Sequence, residues 1–189
     1  MLTKQAIRTH HKQLRQTLSK EMQQKASQTI CRHIHDLQAY QQAQHIGLYR
    51  AVNNEIDLQS LWQSTGLNKH HYCPHMHENH TLSFLPVTAT TRWCKRAFGI
   101  LEPDIENKFA RNVEQLEIIF IPLVAFDKHG TRIGAGGGYY DRTLAGHSST
   151  PLLIGVGYEC LRYPFIEPEP WDIPLHAVIT EQAIHWSRR

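Results

Sequence analysis

No stretch of the 189-residue chain comes near the roughly 18 consecutive apolar residues of a membrane-spanning helix, so that class is excluded. The opening residues, MLTKQAIRTHHKQLRQ, lack the apolar centre of a secretory leader, which points to the cytoplasm. Cysteine is scarce. Cys31, Cys73, Cys94 and Cys160 form no Cys-x-x-Cys pair and match no common zinc spacing. A chain of this length buries a core without staples, so they read as reduced and mostly structural. Charge of one sign is nearly balanced, at +3 with histidine neutral. That suits anionic small ligands and is no argument for nucleic acid. Helix-turn-helix, RRM and zinc-knuckle signatures are absent, as are internal repeats and low-complexity segments.

What is present alternates between two periodicities. Residues 2–18 carry Leu2, Ala6, Ile7, Leu14 and Leu18 at helical spacing, and 20–38 carry Met22, Ala26, Ile30, Ile34 and Leu37 behind Ser19 as N-cap. Segments 45–50, 71–74 and 82–86 read as strands, the last two stopped by proline, and 56–65 as a helix. EIIFIPLVAF (117–126) is a nearly continuous apolar run suited to a central strand. A helix is expected from Tyr139, a buried strand at 152–158 and a last strand at 176–180. Strands alternating with helices imply an α/β fold with a mostly parallel sheet flanked by helices. The proline-rich stretch 163–174 is too short for a linker, so one domain over 1–189 is expected.

The most informative segment is AFDKHGTRIGAGGGYYDR (125–142). A buried strand, a glycine loop and a helix start together make an anion site: bare backbone lets phosphate oxygens approach the N–H groups, and the helix adds its positive end. Lys128 and Arg132 could neutralise phosphate, and Asp141 could hold Mg²⁺ against it. The loop is neither common fingerprint. No Lys-Ser/Thr follows the glycines, and position 139 is tyrosine where a dinucleotide loop needs glycine. The bland alternative is a glycine-rich turn with purely geometric duties.

PLVAFDKHGTRIGAGGGYYDRTL resembles the C-terminal signature of the 5-formyltetrahydrofolate cyclo-ligase family. KQAIR (4–8), YRAVNNEID (49–57), FGILEP (98–103) and WDIPLHAVITE (171–181) resemble its other motifs, in order over nearly the whole chain. The resemblance implies a single Rossmann-like α/β domain that uses Mg-ATP to convert 5-formyltetrahydrofolate to 5,10-methenyltetrahydrofolate. It implies ATP contacts at Lys4, Arg8, Arg132, Gly134, Gly136, Gly137, Gly138 and Tyr140. Folate contacts are implied at Arg50, Glu55 and the loop from Ala135 through Tyr139. Arg132, Tyr139 and Asp141 would be catalytic, and Asp141 a Mg²⁺ ligand. A monomer acting on small molecules is expected, with neither nucleic acid nor membrane as partner. The chain departs from the family pattern at three positions. His176 stands where a second metal-binding aspartate is expected, Ala135 replaces a larger residue, and Leu58 replaces a small hydroxyl residue. Histidine is a poorer partner than carboxylate for hard Mg²⁺.

Other features have bland readings. The histidines of HHYCPHMHENH (70–80) read as a strand ending at Pro74 and a polar loop, in preference to a metal site. Lys4, Arg8, Lys12 and Arg15 recur on one helical face; with the resemblance, the first two become nucleotide ligands and Lys12 and Arg15 stay solvated. Trp93, Phe98 and Phe84 are candidates for a pterin pocket or for core, while Trp62 and Trp171 read as packing. A nucleotide- or nucleic-acid-binding module without catalysis is the rival class.

Overall fold

The structure, a computed structural model, describes residues 2–63, 68–147 and 151–188, with Phe98 described by its backbone only. Two helices open it. In α1 (Lys4–Gln16) the Thr3 hydroxyl caps the Ala6 N–H, and in α2 (Lys20–Asp36) Ser19 does the same for Met22, as its position in the sequence suggests. Ala26, Ile30 and Ile34 bury the inner face of α2, whereas Met22 and, ahead of α1, Leu2 point to solvent. A short helix α3 (Gln38–Gln42) leads into strand β1 (His45–Gly47), and α4 (Gln59–Gln63) follows. The last two residues of the helix expected over 56–65 lie outside the described residues.

Next come β2 (His70–Met76), β3 (Leu82–Val87), the small pair β4 (Trp93–Lys95) and β5 (Leu101–Pro103), then β6 (Ile118–Pro122). The hairpin β7 (Ala125–Phe126) and β8 (Arg132–Ile133) precedes α5 (Tyr139–Leu144). β9 (Leu152–Val156), β10 (Ala177–Ile179) and β11 (Ile184–Trp186) close the chain. A seven-stranded sheet runs β11-β10-β9-β6-β1-β2-β3. Its five inner strands are parallel, and β3 and β11 are antiparallel edges. This is the expected α/β architecture with two N-terminal helices.

Some boundaries differ from expectation. The apolar run 117–126 is not one strand; it leaves the sheet after Pro122 and resumes in the β7–β8 hairpin. β2 continues through Pro74, because β1 pairs it only as far as Tyr72 and the missing N–H disturbs no ladder bond on that side. Pro86 is tolerated because β3 is an edge. The true last strand is β11, which pairs with β10 through Ala177, Val178 and Ile179. Phe120, Ile121, Ile154 and Ile179 are fully buried in the main core. Phe84 belongs to that core, and Trp62 packs in it as expected. The four cysteines are free thiols.

Candidate active site

From β1 the chain proceeds to β2 on one side, whereas β6, β9 and β10 lie on the other, so the strand order reverses between β1 and β6. A crevice at the carboxyl ends of the strands flanking such a reversal is where open α/β sheets bind ligands. Here it holds a cavity of about 640 Å³, floored by Tyr49 and Arg50 after β1 and by Leu123 and Val124 after β6.

The glycine loop forms one wall. Asp127 closes the preceding turn by accepting from the His129 and Thr131 N–H groups at 2.9 and 3.0 Å. Its second oxygen accepts from Ile166 at 3.0 Å and so anchors the loop over 163–174. Lys128 is exposed at the tip of this turn and does not line the cavity, contrary to the expected phosphate role. Arg132 is buried and donates to Asp141 Oδ1 at 2.7 Å and to the Ile173 carbonyl. Gly138 enters α5 at φ +67, a left-handed geometry that suits glycine. The helix has only six residues, so its dipole is a smaller contribution than the sequence implies. Arg142, which the motif reading passed over, braces the loop by donating to the Gly137 carbonyl and, at 3.3 Å, to His80 in the β2–β3 turn.

Helix α1 supplies the cations. Lys4 pairs with Asp172, and Arg8 donates Nε to the Gly134 carbonyl at 3.0 Å. Lys12 is not merely solvated: its Nζ donates to the Ala135 carbonyl at 3.1 Å. Arg15 departs furthest from expectation. Only 4% exposed, it donates to the Leu123 carbonyl at 3.3 Å and lies 3.7 Å from Glu55 Oε1. The sequence did carry a signal, since Ile7, His11 and Arg15 sit at i, i+4 and i+8 on the buried face.

Glu55 follows a tight turn in which Asn53 and Asn54 take positive φ. Its Oε2 accepts from the Val52 N–H at 3.1 Å. Burial raises its pKa above the ordinary carboxylate value, against the opposing pull of Arg15, the Val52 N–H and Lys12. Burial likewise pushes the Tyr49 and Tyr140 phenols up, and Tyr158 to about 12. The Tyr140 hydroxyl is buried, lines the cavity and is without a hydrogen-bond partner, an arrangement that an acceptor on a ligand would relieve. Arg50 stacks on Trp93 with its guanidinium carbon 4.3 Å from the ring centroid.

Apart from Lys128, the residues expected to contact ATP, folate or metal all line this one cavity except His176. That residue precedes β10, at the amino end of the strand, and its Nδ1 accepts from the Leu153 N–H at 3.0 Å. The expected metal role of His176 is therefore not supported. Trp171, expected to be packing, is 65% exposed at the cavity rim, and Phe84 is core and not pterin wall. The pocket role expected of Phe98 lies outside the described side chains. Among the described residues no cluster of three His, Cys, Asp or Glu side chains is placed to hold a metal. Instead His71 meets the Tyr40 hydroxyl, His75 meets the buried Glu102 carboxylate at 2.6 Å, and His77 meets Ser83.

A strand-reversal cavity lined by cations, tyrosines and a largely buried carboxylate defines an α/β protein built around a small-molecule site. The family model for the 5-formyltetrahydrofolate cyclo-ligase family matches residues 1–181, and the chain belongs to that family. It is 36% identical over 180 residues to the 5-formyltetrahydrofolate cyclo-ligase of Haemophilus influenzae, covering 93% of this chain and 96% of that protein. The 5,10-methenyltetrahydrofolate synthetase of Aquifex aeolicus superposes with a TM-score of 0.86 at 29% identity, over 100% of this chain and 94% of that one. The corresponding Mycoplasma pneumoniae structure, at 22% identity and a TM-score of 0.75, shares the fold over 95% of this chain and 99% of its own. Among the described residues, no helix is long and apolar enough to cross a membrane.

Proposed function

We propose that the chain acts as one domain over residues 1–189 and joins 5-formyltetrahydrofolate and ATP to give 5,10-methenyltetrahydrofolate, ADP and phosphate. The observation that carries this reading is the shared cavity: the cation-braced glycine loop and the largely buried Glu55 face the same space. Its volume of about 640 Å³ falls within the range of ligand sites, roughly 300–1,000 Å³.

A formamide carbon is a poor electrophile because the amide nitrogen feeds it electrons. The formyl oxygen attacks the γ-phosphorus, the bond to ADP breaks, and a phosphorylated iminium results. N10 then attacks the activated carbon, loses its proton, and the ring closes as the C–O bond breaks and phosphate leaves. The protein supplies position and charge. Lys4, Arg8 and Arg132 are suited to the polyphosphate, with the loop backbone from Gly134 to Gly138 donating to its oxygens. Glu55 is suited to the amino and ring N–H donors of a pterin, and Arg50 to a carboxylate farther along the substrate. Tyr139 and Tyr140 line the same cavity and are suited to meet either substrate.

For Mg²⁺ the fit is to a single protein carboxylate. Asp141 Oδ1 already accepts from Arg132 and from the Ile173 N–H at 3.2 Å. Its side chain remains 27% exposed beside the loop, which suits an ion held mainly by phosphates and water. Such an ion would spread the charge that builds on the transferring phosphoryl group. Turnover with both substrates, dependent on ATP, tests the proposal. ATP hydrolysis that 5-formyltetrahydrofolate does not stimulate would count against it.

A further inference from the structure

We propose that Arg15 is a positioning residue for Glu55: its buried guanidinium, fastened to the end of β6, fixes the charge and direction of the carboxylate that faces the substrate. This rests on the function proposed above, in which Glu55 meets the folate ring.

The geometry is specific. Arg15 rises from the inner face of α1, eleven positions after Lys4, and is, among the described residues, one of the few charged groups that is nearly fully enclosed. An enclosed guanidinium needs acceptors. It has the Leu123 carbonyl at 3.3 Å and Glu55 Oε1 at 3.7 Å. Leu123 is the first residue beyond β6, so the anchor is backbone at the end of a central strand and not a mobile side chain. Glu55 is tied at its other oxygen to Val52, and its turn is pinned by two phenols. Tyr158 donates to the Asn54 carbonyl at 3.0 Å and Tyr49 to the Ile56 carbonyl at 2.8 Å. The carboxylate is thus held from α1 on one side and from its own turn on the other.

Among the described residues, the titratable groups facing Glu55 are few. Arg15 and Lys12 come from α1, Tyr49 from the end of β1, Tyr140 from α5 and Tyr158 from the segment after β9. The three phenols are pushed above their ordinary value by burial, so they are neutral hydroxyls at physiological pH. Arg15 is the largest favourable influence on the Glu55 anion, opposing the burial that raises its pKa, and Lys12 the smallest. Without the guanidinium the carboxyl would take up a proton at a higher pH and become a donor where the pterin also donates. Such a mismatch leaves two donors face to face.

The test uses the full-length protein and three variants. Carboxyl-selective carbon NMR follows the titration of Glu55 in the free protein, and kcat and KM for each substrate are measured across pH. Arg15→Gln keeps a donor for the Leu123 carbonyl while removing the charge. The Glu55 midpoint and the acid limb of kcat/KM for 5-formyltetrahydrofolate should both move up by about one pH unit. KM for 5-formyltetrahydrofolate should rise about tenfold near the midpoint while KM for ATP changes less than twofold. Arg15→Lys should return the titration to near its wild-type position, which a purely structural role for the residue would not require. Lys12→Gln, which removes the weaker and partly exposed charge, should move the midpoint less than Arg15→Gln does. An unmoved midpoint in Arg15→Gln, or an equal displacement in Arg15→Lys, overturns the proposal. If Arg15→Gln does not fold, Arg15→Lys still decides, because a displaced midpoint with the charge retained contradicts the role. A wild-type protein without turnover would instead remove the proposed function, while the titration would still report on the Arg15–Glu55 pairing.

Discussion

Glu55 is enclosed, faces the cavity and keeps one oxygen 3.7 Å from Arg15. Hydrogen bonds to a charged acceptor contribute about 1.5–3 kcal/mol. Glu55→Gln should therefore raise KM for 5-formyltetrahydrofolate at least tenfold with little change for ATP; steady-state kinetics with each substrate varied would check this. A change confined to ATP would place Glu55 on the wrong ligand. Asp141→Asn should raise the Mg²⁺ concentration needed for half-maximal rate several-fold, read from a Mg²⁺ titration at saturating ATP. A wild-type requirement would remove Asp141 from the ion. Most of these site residues were legible because a motif compresses chemistry into adjacent letters. Arg15 was not. It lies where the basic stripe and the buried face of α1 overlap, and only tertiary packing decides which one claims it. His176 was misplaced for the converse reason: its letter falls in a motif, but its side chain is tied to Leu153 at the amino end of the strands.

The glycine loop and the strands flanking it make different demands. At Gly138 the positive φ opposes any side chain, and a Cβ there would also displace the Arg142 guanidinium. Gly138→Ala should cost about 1–2 kcal/mol and weaken ATP. Gly134 has no atom within 4 Å of a hypothetical Cβ, so Gly134→Ala should stay within about 0.5 kcal/mol of wild type. Urea unfolding of the two variants makes the comparison, and equal losses would contradict it. On β2, His71 accepts from or donates to the Tyr40 hydroxyl at 3.0 Å and is pushed down to about 4, chiefly by burial. Its ordinary value is 6.5, so the neutral native form is favoured above that pH. Stability should then be lost as pH falls from 6.5 toward 4, by roughly 3 kcal/mol in all. Unfolding at pH 7 and pH 4.5 should show His71→Gln losing about 2 kcal/mol less than wild type between them. Parallel losses would mean His71 is not held neutral. Helices and long strands were readable from periodicity, down to the Ser19 cap. The short pairs β4–β5 and β11 were not, since three residues carry too little pattern and depend on a partner strand to exist.

Across the molecule, the reversal of strand order between β1 and β6 gathers parts distant in sequence: α1 cations, the turn at 52–55, the glycine loop and the 163–174 segment. Arg15 and Lys4 lie on one helix, so α1 touches both the glycine-loop side, through Arg8 and Lys12, and the carboxylate side. The overall α/β plan was legible because apolar runs alternate with amphipathic helices. The cavity was legible only through the family resemblance, as no local pattern states which loops will meet. The most direct measurement is the absorbance of the methenyl product when purified protein is mixed with Mg-ATP and 5-formyltetrahydrofolate, with ATP omitted as control. A rise that requires ATP is the expected result. A folded protein that binds ATP yet gives no rise would contradict it.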